Sequence, residues 1–316
     1  YLTCKTNLSN TTTRKGKEKH YQRGDRVKQR HEKWELRQMQ SLPLEAKMVK
    51  SQLRIREWYE YWEGQVYVAF SGGKDSTVLL HLVRQLYPDV PAVFADTGLE
   101  FPEIKEFVRS QENVIIMRPK KTFKKVLEDH GYPVVSKRNA RYIRDLQTPT
   151  PNNEATRNLR LTGYNRAGRY CPTMKLADKW VYLKDAPFKV SEQCCDVMKK
   201  EPFNRYVKET GRKGINGVMA SESNMREQSW LKYGCNSFNS KVPLSQPMSF
   251  WTEQDVLLYL RKYEIPYASV YGAIETDDHG KLYTTGETRT GCVFCMFGVH
   301  LEDEPNRFQR LAVTHP

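Results

Sequence analysis

The sequence lacks any run of about eighteen consecutive apolar residues, the length that a membrane-spanning helix needs. Its first residues also lack the apolar core of a signal peptide. Neither an internal repeat nor a low-complexity segment occurs. We therefore expect no membrane span, no secretory leader and no repeat architecture.

A disulfide framework is also missing. The seven cysteines are an odd number in a chain of 316 residues, and they include the neighbours Cys194 and Cys195 and the CxxC pair Cys292 and Cys295. Small secreted proteins instead show an even set of spaced cysteines. The pattern favours a cytoplasmic protein with metal or redox chemistry.

Acidic residues are scarce relative to basic ones. Lys and Arg number 51 against 37 Asp and Glu, which gives a net charge of +14. Residues 1–50 hold 13 basic and 5 acidic side chains, so +8 of the charge lies there. Such a basic arm suits either a solvated surface or nucleic acid phosphates. Nucleic acid is therefore a possible partner, and the oligomeric state stays open.

One glycine-rich stretch, SGGKDS, lies between a strand pattern and a helix pattern. Val66, Val68 and Phe70 lead into it, and apolar residues recur at helical spacing from Val78 to Leu86. Adjacent glycines permit a tight turn, and the N-terminus of the following helix favours an anion. We expect phosphate binding by Ser71, Gly72, Gly73, Lys74, Asp75 and Ser76.

The spacing between glycine and lysine excludes the common GxxxxGK[ST] loop. Further strands are predicted at residues 91–95, 114–117 and 215–219, and they alternate with helical stretches, so we expect an α/β fold with a doubly wound, mainly parallel sheet. Asp96 and Gly98 follow the second predicted strand, where a nucleoside would bind at the carboxyl edge of the sheet.

The chain divides into three expected parts. Residues 1–62 form the basic arm and a helix, residues 63–245 form the nucleotide-binding domain, and residues 246–316 form a turn-rich C-terminal segment. Residues 251–263 predict a helix with Thr252 as its N-cap. Residues 137–180 predict a loop with short helices.

An ordered series of motifs resembles the phosphoadenosine phosphosulfate (PAPS) reductase family of the adenine nucleotide α-hydrolase superfamily. It spans about residues 66–298, over two-thirds of the chain. The motifs are SGGKDS, DTGLEFPE from Asp96, Cys194-Cys195 with Lys199 or Lys200 and Pro202, Glu222-Ser223 with Arg226, Pro243-Leu244 before Trp251-Thr252, Ile265-Pro266-Tyr267, and GCVFC at 291–295. The resemblance implies a pyrophosphate-binding (PP-loop) fold, with Glu222 and Arg226 at the nucleotide.

Cys194, Cys195, Cys292 and Cys295 fall where iron–sulfur members of this family hold a [4Fe–4S] cluster. Four thiolates satisfy such a cluster, whereas zinc usually takes C-x₂₋₄-C pairs and not neighbouring cysteines. The resemblance therefore implies a cluster, with a zinc site or buried free thiols as the alternatives.

The stretch RYCPTMK resembles R-x-C-T-x-x-L-K in phage-type relatives and DNA phosphorothioation proteins, but departs from it at Pro172. Cys171 lies among basic residues, which lower a thiol pKa, so it is a candidate nucleophile or persulfide carrier. A packing role is the alternative. Cys235 is the other candidate, and Cys4 is interpreted as incidental.

Two departures bear on the reaction. The family's reductases carry a cysteine in a C-terminal ECGLH-like segment, but here residues 296–300 read MFGVH. Met219 and Ala220 replace a basic pair that the family places before Glu222. Both changes argue against a plain sulfate-assimilation reductase, unless a further C-terminal segment supplies the thiol. We therefore expect an iron–sulfur, ATP- and Mg²⁺-dependent sulfur-transfer enzyme of this family that releases pyrophosphate, with Lys74, Asp75 and Cys171 as catalytic residues.

Two other functions stay open. One is an adenylyl sulfate or PAPS reductase that takes electrons from a thiol protein. The other is a non-catalytic nucleotide-binding subunit of a nucleic acid-associated complex. In the sulfur-transfer reading, a sulfur donor would be the additional partner.

Overall fold

A computed structural model describes residues 30–316, and all structural statements concern this part of the chain. Most of the basic arm, including Cys4, lies outside the described residues. The strands are β1 Val66–Ala69, β2 Ala92–Ala95, β3 Val114–Met117, β4 Val134–Val135, β5 Lys213–Asn216, β6 Leu244–Ser245, β7 Ile274–Thr276, β8 Leu282–Thr284 and β9 Met296–Phe297.

The helices surround these strands and follow them in sequence. They are α1 Lys33–Gln40, α2 Leu44–Tyr61, α3 Lys74–Leu86, α4 Pro102–Ser110, α5 Phe123–His130, α6 Lys137–Gln147, α7 Glu154–Thr162, α8 Glu201–Thr210, α9 Asn224–Tyr233, α10 Glu253–Lys262 and α11 Arg307–Thr314. A π-helical segment, Asp196–Lys200, leads directly into α8. Among the described residues, no helix is long and apolar enough to cross a membrane.

The central sheet has five strands in the order β3-β2-β1-β5-β6, and every neighbouring pair is parallel. The chain moves from β1 through α3 to β2 and through α4 to β3, and later places β5 on the other side of β1. The order reverses between β1 and β5, and ligands bind at such a switch point. The predicted doubly wound α/β fold is confirmed.

Alternating side chains of β1 bury both faces of the sheet. Val66 and Val68 belong to the main core, together with α3, whereas Tyr67 packs with Val93 and Tyr206 of α8 in a separate cluster. Since successive strand residues point to opposite faces, α3 and α8 cover opposite sides of the sheet.

Helix α2 is fixed to α10 by buried polar contacts. Lys47, which is 2% exposed, donates to Asp255 at 2.6 Å. The Ser51 hydroxyl accepts from the Trp251 indole at 2.9 Å. The predicted helix after Thr252 is confirmed, because Thr252 and Asp255 form a capping box at its start.

Residues 131–190 form a second, smaller unit, which we call the basic module. Its own core comprises Val135, Ala140, Tyr142, Ile143, Leu146, Leu176, Leu183 and Val190. The predicted short helices are present as α6 and α7. Strand β4 of the module pairs in parallel with β9, which begins directly after Cys295.

One predicted strand is displaced. The expected strand at 215–219 is β5, Lys213–Asn216, because pairing with β1 begins at Lys213 opposite Val66. Met219 and Ala220 instead enter a short 3₁₀ turn, and both are buried in the main core.

Candidate functional site

The SGGKDS loop links β1 to the N-terminus of α3. Gly72 has φ +71°, a conformation that residues with a side chain rarely adopt. A Cβ atom there would lie 2.9 Å from the Cγ2 atoms of Ile104 and Val108 in α4. Glycine is therefore needed both for the turn and for the packing of α4 against the loop.

Hydroxyl groups hold the loop in shape. The Ser76 hydroxyl donates to the Gly73 carbonyl at 2.9 Å and lies 3.1 Å from the Ser71 hydroxyl. The Ser71 hydroxyl accepts from the Gly73 N–H at 3.3 Å. The loop is thus preformed at the start of α3, where free N–H groups and the helix dipole favour a phosphate.

A cavity of about 270 Å³, which we call the nucleotide cavity, opens beside this loop. Its walls come from the carboxyl ends of β1, β2 and β5 and from distant segments. The lining includes Ala69, Phe70, Ser71, Asp75, Ser76, Phe94, Ala95, Glu100, Ile104, Lys199, Phe203, Asn216, Gly217, Val218, Glu222, Arg226, Thr290 and Gly291. The predicted residues Ser71, Asp75, Ser76, Glu222 and Arg226 therefore meet at one cavity.

Two basic side chains of the lining come from outside the loop. Arg226 forms an ion pair with Glu222, and Lys199 enters from the π-helical segment. Lys74 is 5% exposed and donates to Glu253 at 3.1 Å, and its ammonium lies 5.1 Å from the centre of the Tyr271 ring. Positive charge thus surrounds a site suited to phosphate.

Asp75 is the carboxylate at the first turn of α3. Burial raises its pKa, the nearby cations Lys74, Arg226 and Arg289 oppose the rise, and Glu253 adds to it. Arg289 therefore acts on the same carboxylate as Arg226, although it comes from the C-terminal segment. A carboxylate desolvated in this way is suited to a metal ion or a proton.

The predicted nucleoside contacts lie beside the nucleotide cavity and not in its lining. The Asp96 carboxylate accepts from the Gly98 N–H at 3.1 Å and faces Arg118 at 3.4 Å and Lys105 at 3.9 Å. Asp96 and Gly98 are brought together as an Asx turn after β2.

The four predicted cluster ligands converge on a second, small cavity, which we call the cysteine cavity. Cys194, Cys195, Cys292 and Cys295 line it, and the other lining residues are Leu99, Phe123, Pro133, Met198 and Lys199. The pairs come from segments about a hundred residues apart in sequence, and the fold joins them.

The cysteine cavity favours thiolates at some positions and thiols at others. The hydrogen bond with Cys194 lowers the pKa of Cys195 to about 6, assisted by Lys137 and Lys199 against the effect of burial. The same hydrogen bond, together with burial, raises the pKa of Cys194. Burial also raises the pKa of Cys292, although Lys199 opposes the change.

The donor set fits an iron–sulfur cluster, because four cysteines share one apolar cavity next to the cations Lys137 and Lys199. Within residues 30–316, no group of three or more His, Cys, Asp or Glu side chains has the geometry of a single-ion site. The fit to a cluster therefore rests on the number, type and surroundings of the sulfur donors.

Lys199 connects the two cavities. It lines both of them, and the segment from Thr290 to Cys292 likewise passes from the nucleotide cavity to the cysteine cavity. Burial would lower the pKa of Lys199, but the charges of Cys292 and Glu100 outweigh burial and raise it. A cation is thus held between the nucleotide cavity and the cysteine cavity.

Cys171 and Cys235 lie apart from both cavities. The Cys171 thiol is partly exposed and contacts the carbonyl of Arg169 at 3.7 Å. Cys235 is 8% exposed and lies 3.4 Å from the Ser249 hydroxyl, and burial raises its pKa. Neither thiol lines the nucleotide cavity or the cysteine cavity.

Sequence reasoning missed several residues of the site. Tyr271, Thr290 and Arg289 approach the loop from the C-terminal segment, and the Tyr271 hydroxyl shares a 2.5 Å hydrogen bond with Thr290. The one sequence signal for Arg289 and Thr290 is that they directly precede GCVFC, and Tyr271 lies outside that motif. The expected loss of cations at Met219 and Ala220 is also offset, since Lys199, Arg226 and Arg289 supply positive charge.

Fold and site together define a parallel α/β protein that carries a preformed glycine-rich loop at the switch point of its sheet. The phosphoadenosine phosphosulfate reductase domain matches residues 65–150 and 132–296. The chain belongs to this family, whose members bind adenine nucleotides.

Individual relatives are distant. The adenosine 5'-phosphosulfate reductase of Anoxybacillus flavithermus is 24% identical over 278 residues, which cover 87% of this chain and 91% of that protein. The enzyme of the same name from Staphylococcus haemolyticus is 25% identical over 228 residues, covering 70% and 72%. An uncharacterized protein of Methanocaldococcus jannaschii is 26% identical over 247 residues, covering 76% of this chain but 38% of that protein.

A solved structure is also similar. The phosphoadenylyl-sulfate reductase of Candida auris, crystallised as a phosphate complex, aligns with 79% of this chain and 97% of its own. The TM-score is 0.41 and the sequence identity is 16%.

Proposed function

We propose that this chain is an ATP-dependent sulfur-transfer enzyme that adenylates an acceptor and releases pyrophosphate. The observation that carries the proposal is the position of Lys199, which lines both the nucleotide cavity and the cysteine cavity. The reacting end of a bound nucleotide would thereby lie next to sulfur chemistry.

ATP would bind with its terminal phosphates on the loop from Ser71 to Ser76, at the N-terminus of α3. The carboxylates of Asp75 and Glu222 supply the oxygen ligands that Mg²⁺ prefers. An oxygen of the acceptor would attack the α-phosphorus, and the bond to pyrophosphate would break. Lys74, Arg226 and Arg289 would stabilise the charge that develops on the leaving group.

Sulfur would then replace the adenylate. A persulfide, formed by a sulfur-donor protein on Cys171 or on a thiol of the cysteine cavity, would have to reach the nucleotide cavity from outside its lining. It would attack the activated carbon, and AMP would leave with the electron pair of the C–O bond. A second thiol would release the new C–S group by forming a disulfide with the carrier sulfur. A [4Fe–4S] cluster on Cys194, Cys195, Cys292 and Cys295 would supply an iron-bound sulfur site.

Reduction of a sulfonucleotide is the second candidate, and the similarity to the bacterial adenosine 5'-phosphosulfate reductases favours it. In that reaction a thiol would attack the sulfonyl sulfur of adenylyl sulfate and AMP would leave. A second thiol would then release sulfite and form a disulfide. Among the described residues the lining of the nucleotide cavity contains no thiol, so the nucleophile would have to reach it from elsewhere.

A direct comparison separates the two reactions. The full chain, purified without oxygen, is offered ATP with Mg²⁺ and an RNA oligomer as trial acceptor, or adenylyl sulfate with dithiothreitol. We expect Mg²⁺-dependent ATP binding and pyrophosphate release, with no sulfite. Ser71→Ala should lower pyrophosphate release about tenfold or more, because a hydrogen bond to a charged ligand is lost.

Sulfite formed at enzymatic rates from adenylyl sulfate would overturn the proposal in favour of the reductase. Nucleotide binding with neither product would instead favour a non-catalytic subunit. Cys171→Ser should leave ATP binding unchanged and block only sulfur transfer if that thiol carries the persulfide.

A further inference from the structure

We propose that a short hairpin of the basic module, Tyr164–Tyr170, is a binding site for single-stranded nucleic acid. Only one part of this proposal rests on the proposed function, namely that the bound strand is the acceptor. The binding itself is independent of any reaction with ATP.

The hairpin is held rigidly by its own backbone. Tyr164 and Tyr170 form an antiparallel bridge, and the Asn165 N–H donates to the Arg169 carbonyl at 3.0 Å. The Asn165 side-chain oxygen accepts from the N–H groups of Ala167 at 3.0 Å and Arg169 at 2.9 Å. The tip is therefore preorganised, which lowers the entropic cost of binding.

Two tyrosine rings stand together on the surface of this rigid tip. Tyr164 is 50% exposed and Tyr170 is 51% exposed, and their ring centres lie 5.1 Å apart. Tyr170 also packs against Gly163, where a Cβ atom would lie 2.6 Å from its ring. Exposed aromatic faces on a fixed support are the platforms on which unpaired bases stack.

Arg166 and Arg169 carry free positive charge beside these rings. Both are exposed, and within residues 30–316 neither guanidinium has a hydrogen bond or an ion pair. By contrast, the nearby Lys175 is paired with Asp178 at 2.8 Å. Unpaired arginines at exposed aromatic rings suit phosphates that flank stacked bases.

The surrounding module extends this charge. Residues 131–190 contain twelve Lys and Arg against four Asp and Glu, a net charge of +8. This surplus occurs in a folded unit, and not only in the N-terminal arm. A strand on the hairpin would thus lie on a broadly positive surface, as nucleic acid binding requires.

The position of the hairpin connects it with the sulfur chemistry. Cys171 follows Tyr170 directly, and its N–H donates to the Gly163 carbonyl at 2.7 Å. The same module contributes Pro133 to the wall of the cysteine cavity. A nucleic acid strand bound to the hairpin would therefore lie next to the partly exposed thiol of Cys171.

Fluorescence anisotropy of the full chain tests the proposal. The probes are labelled oligomers of about twelve nucleotides, oligo(U) RNA, oligo(dT) DNA and a DNA duplex. We expect both single strands to bind more tightly than the duplex, and the comparison of RNA with DNA identifies the sugar. Arg166→Gln with Arg169→Gln should reduce the salt slope by about 1.4, that is 0.7 for each phosphate.

Tyr164→Leu should weaken single-strand binding about tenfold through loss of stacking. Matched controls remove equivalent groups elsewhere. Arg109→Gln with Lys281→Gln removes two exposed charges that have no ion pair within residues 30–316, and Tyr283→Leu removes a tyrosine that is 42% exposed. The control variants should bind as the unaltered protein does.

Equal affinities for hairpin and control variants would overturn the proposal, as would no binding of either single strand. Should Tyr164→Leu unfold, photocrosslinking of unaltered protein to 4-thiouridine RNA gives the answer. Crosslinks should map to residues 163–171, and crosslinks confined to other regions would contradict the assignment. Loss of pyrophosphate release alongside intact binding would reject the proposed function and not this surface.

Discussion

Asp75 has a partly buried carboxylate whose ionisation lowers the free energy of unfolding. Burial raises its pKa above the ordinary aspartate value of 3.8, so the folded protein binds this proton more tightly than the unfolded chain does. Between 3.8 and the raised folded-state pKa, the free energy of unfolding therefore falls as the pH rises. At pH values above the raised pKa, the desolvated carboxylate of Asp75 therefore lowers the free energy of unfolding.

Replacement of Asp75 by asparagine should accordingly separate stability from activity. We expect Asp75→Asn to raise the melting temperature at pH 7 while lowering pyrophosphate release about a hundredfold. Calorimetry at pH 7 and at pH 4 measures the first effect, and the stabilisation should shrink at the lower pH. Asp89→Asn, at an exposed position, should change neither quantity. A large loss of stability in Asp75→Asn would contradict this account.

Only some of the residues at the site can be predicted from the sequence. Short motifs predict the loop residues and Glu222 with Arg226. Ser71, Asp75 and Ser76 of the loop meet Glu222 and Arg226 at one cavity, whereas Gly72, Gly73 and Lys74 are not in its lining. Tyr271, Thr290 and Arg289 were not predicted, because their positions depend on how the C-terminal segment packs against α3. The binding and catalytic roles of all these residues, including Lys74, Asp96 and Cys171, stay predictions.

At the level of elements, the loop between β1 and α3 depends on its contact with α4. Gly72 combines a positive φ with contacts of 2.9 Å to Ile104 and Val108, so an added methyl group meets two separate obstacles. Strain in the backbone costs about 1–3 kcal/mol, and overpacking adds about as much again. We expect the backbone strain and the steric clash with α4 together to displace the loop.

We therefore expect Gly72→Ala to lower the free energy of unfolding by about 3 kcal/mol and to weaken ATP binding. Gly211→Ala is the matched control, since Gly211 has φ +73° and no atom within 4 Å of the added carbon. It should cost only about 1 kcal/mol and leave ATP binding unchanged. Chemical denaturation measures the free energy of unfolding, and calorimetric titration measures ATP binding. Equal costs for the two variants would show that crowding by α4 is unimportant.

The elements that sequence predicted best are those with long, uniform patterns. Strands β1, β2 and β3 are continuous apolar runs between turn residues, and α3 has clear helical spacing. These patterns predict the type of each element without any knowledge of its tertiary contacts. Strands β4, β6 and β9 have two residues each, and so short a segment has no periodicity to detect. The β5 boundary was displaced because its register comes from β1.

On the scale of the whole molecule, the cysteine cavity joins segments that the chain keeps far apart. Cys194 and Cys195 begin the helical turn before the π-helical segment, whereas Cys292 and Cys295 lie in the C-terminal segment next to β9. A ligand held by all four would cross-link these segments in the native state alone. Its binding would add directly to the stability of the fold.

Protein prepared without oxygen should therefore be brown and contain about four irons per chain. Cys194→Ser and Cys292→Ser should lose the colour and the iron, because either change leaves three thiolates for four ligand positions. Both should also melt at a lower temperature, since the bound group stabilises only the folded state. Cys171→Ser and Cys235→Ser are the matched controls, because these thiols lie outside the cysteine cavity, and both should keep the full iron content. Stoichiometric zinc without iron would refute the cluster, and colour retained in Cys292→Ser would refute this set of ligands.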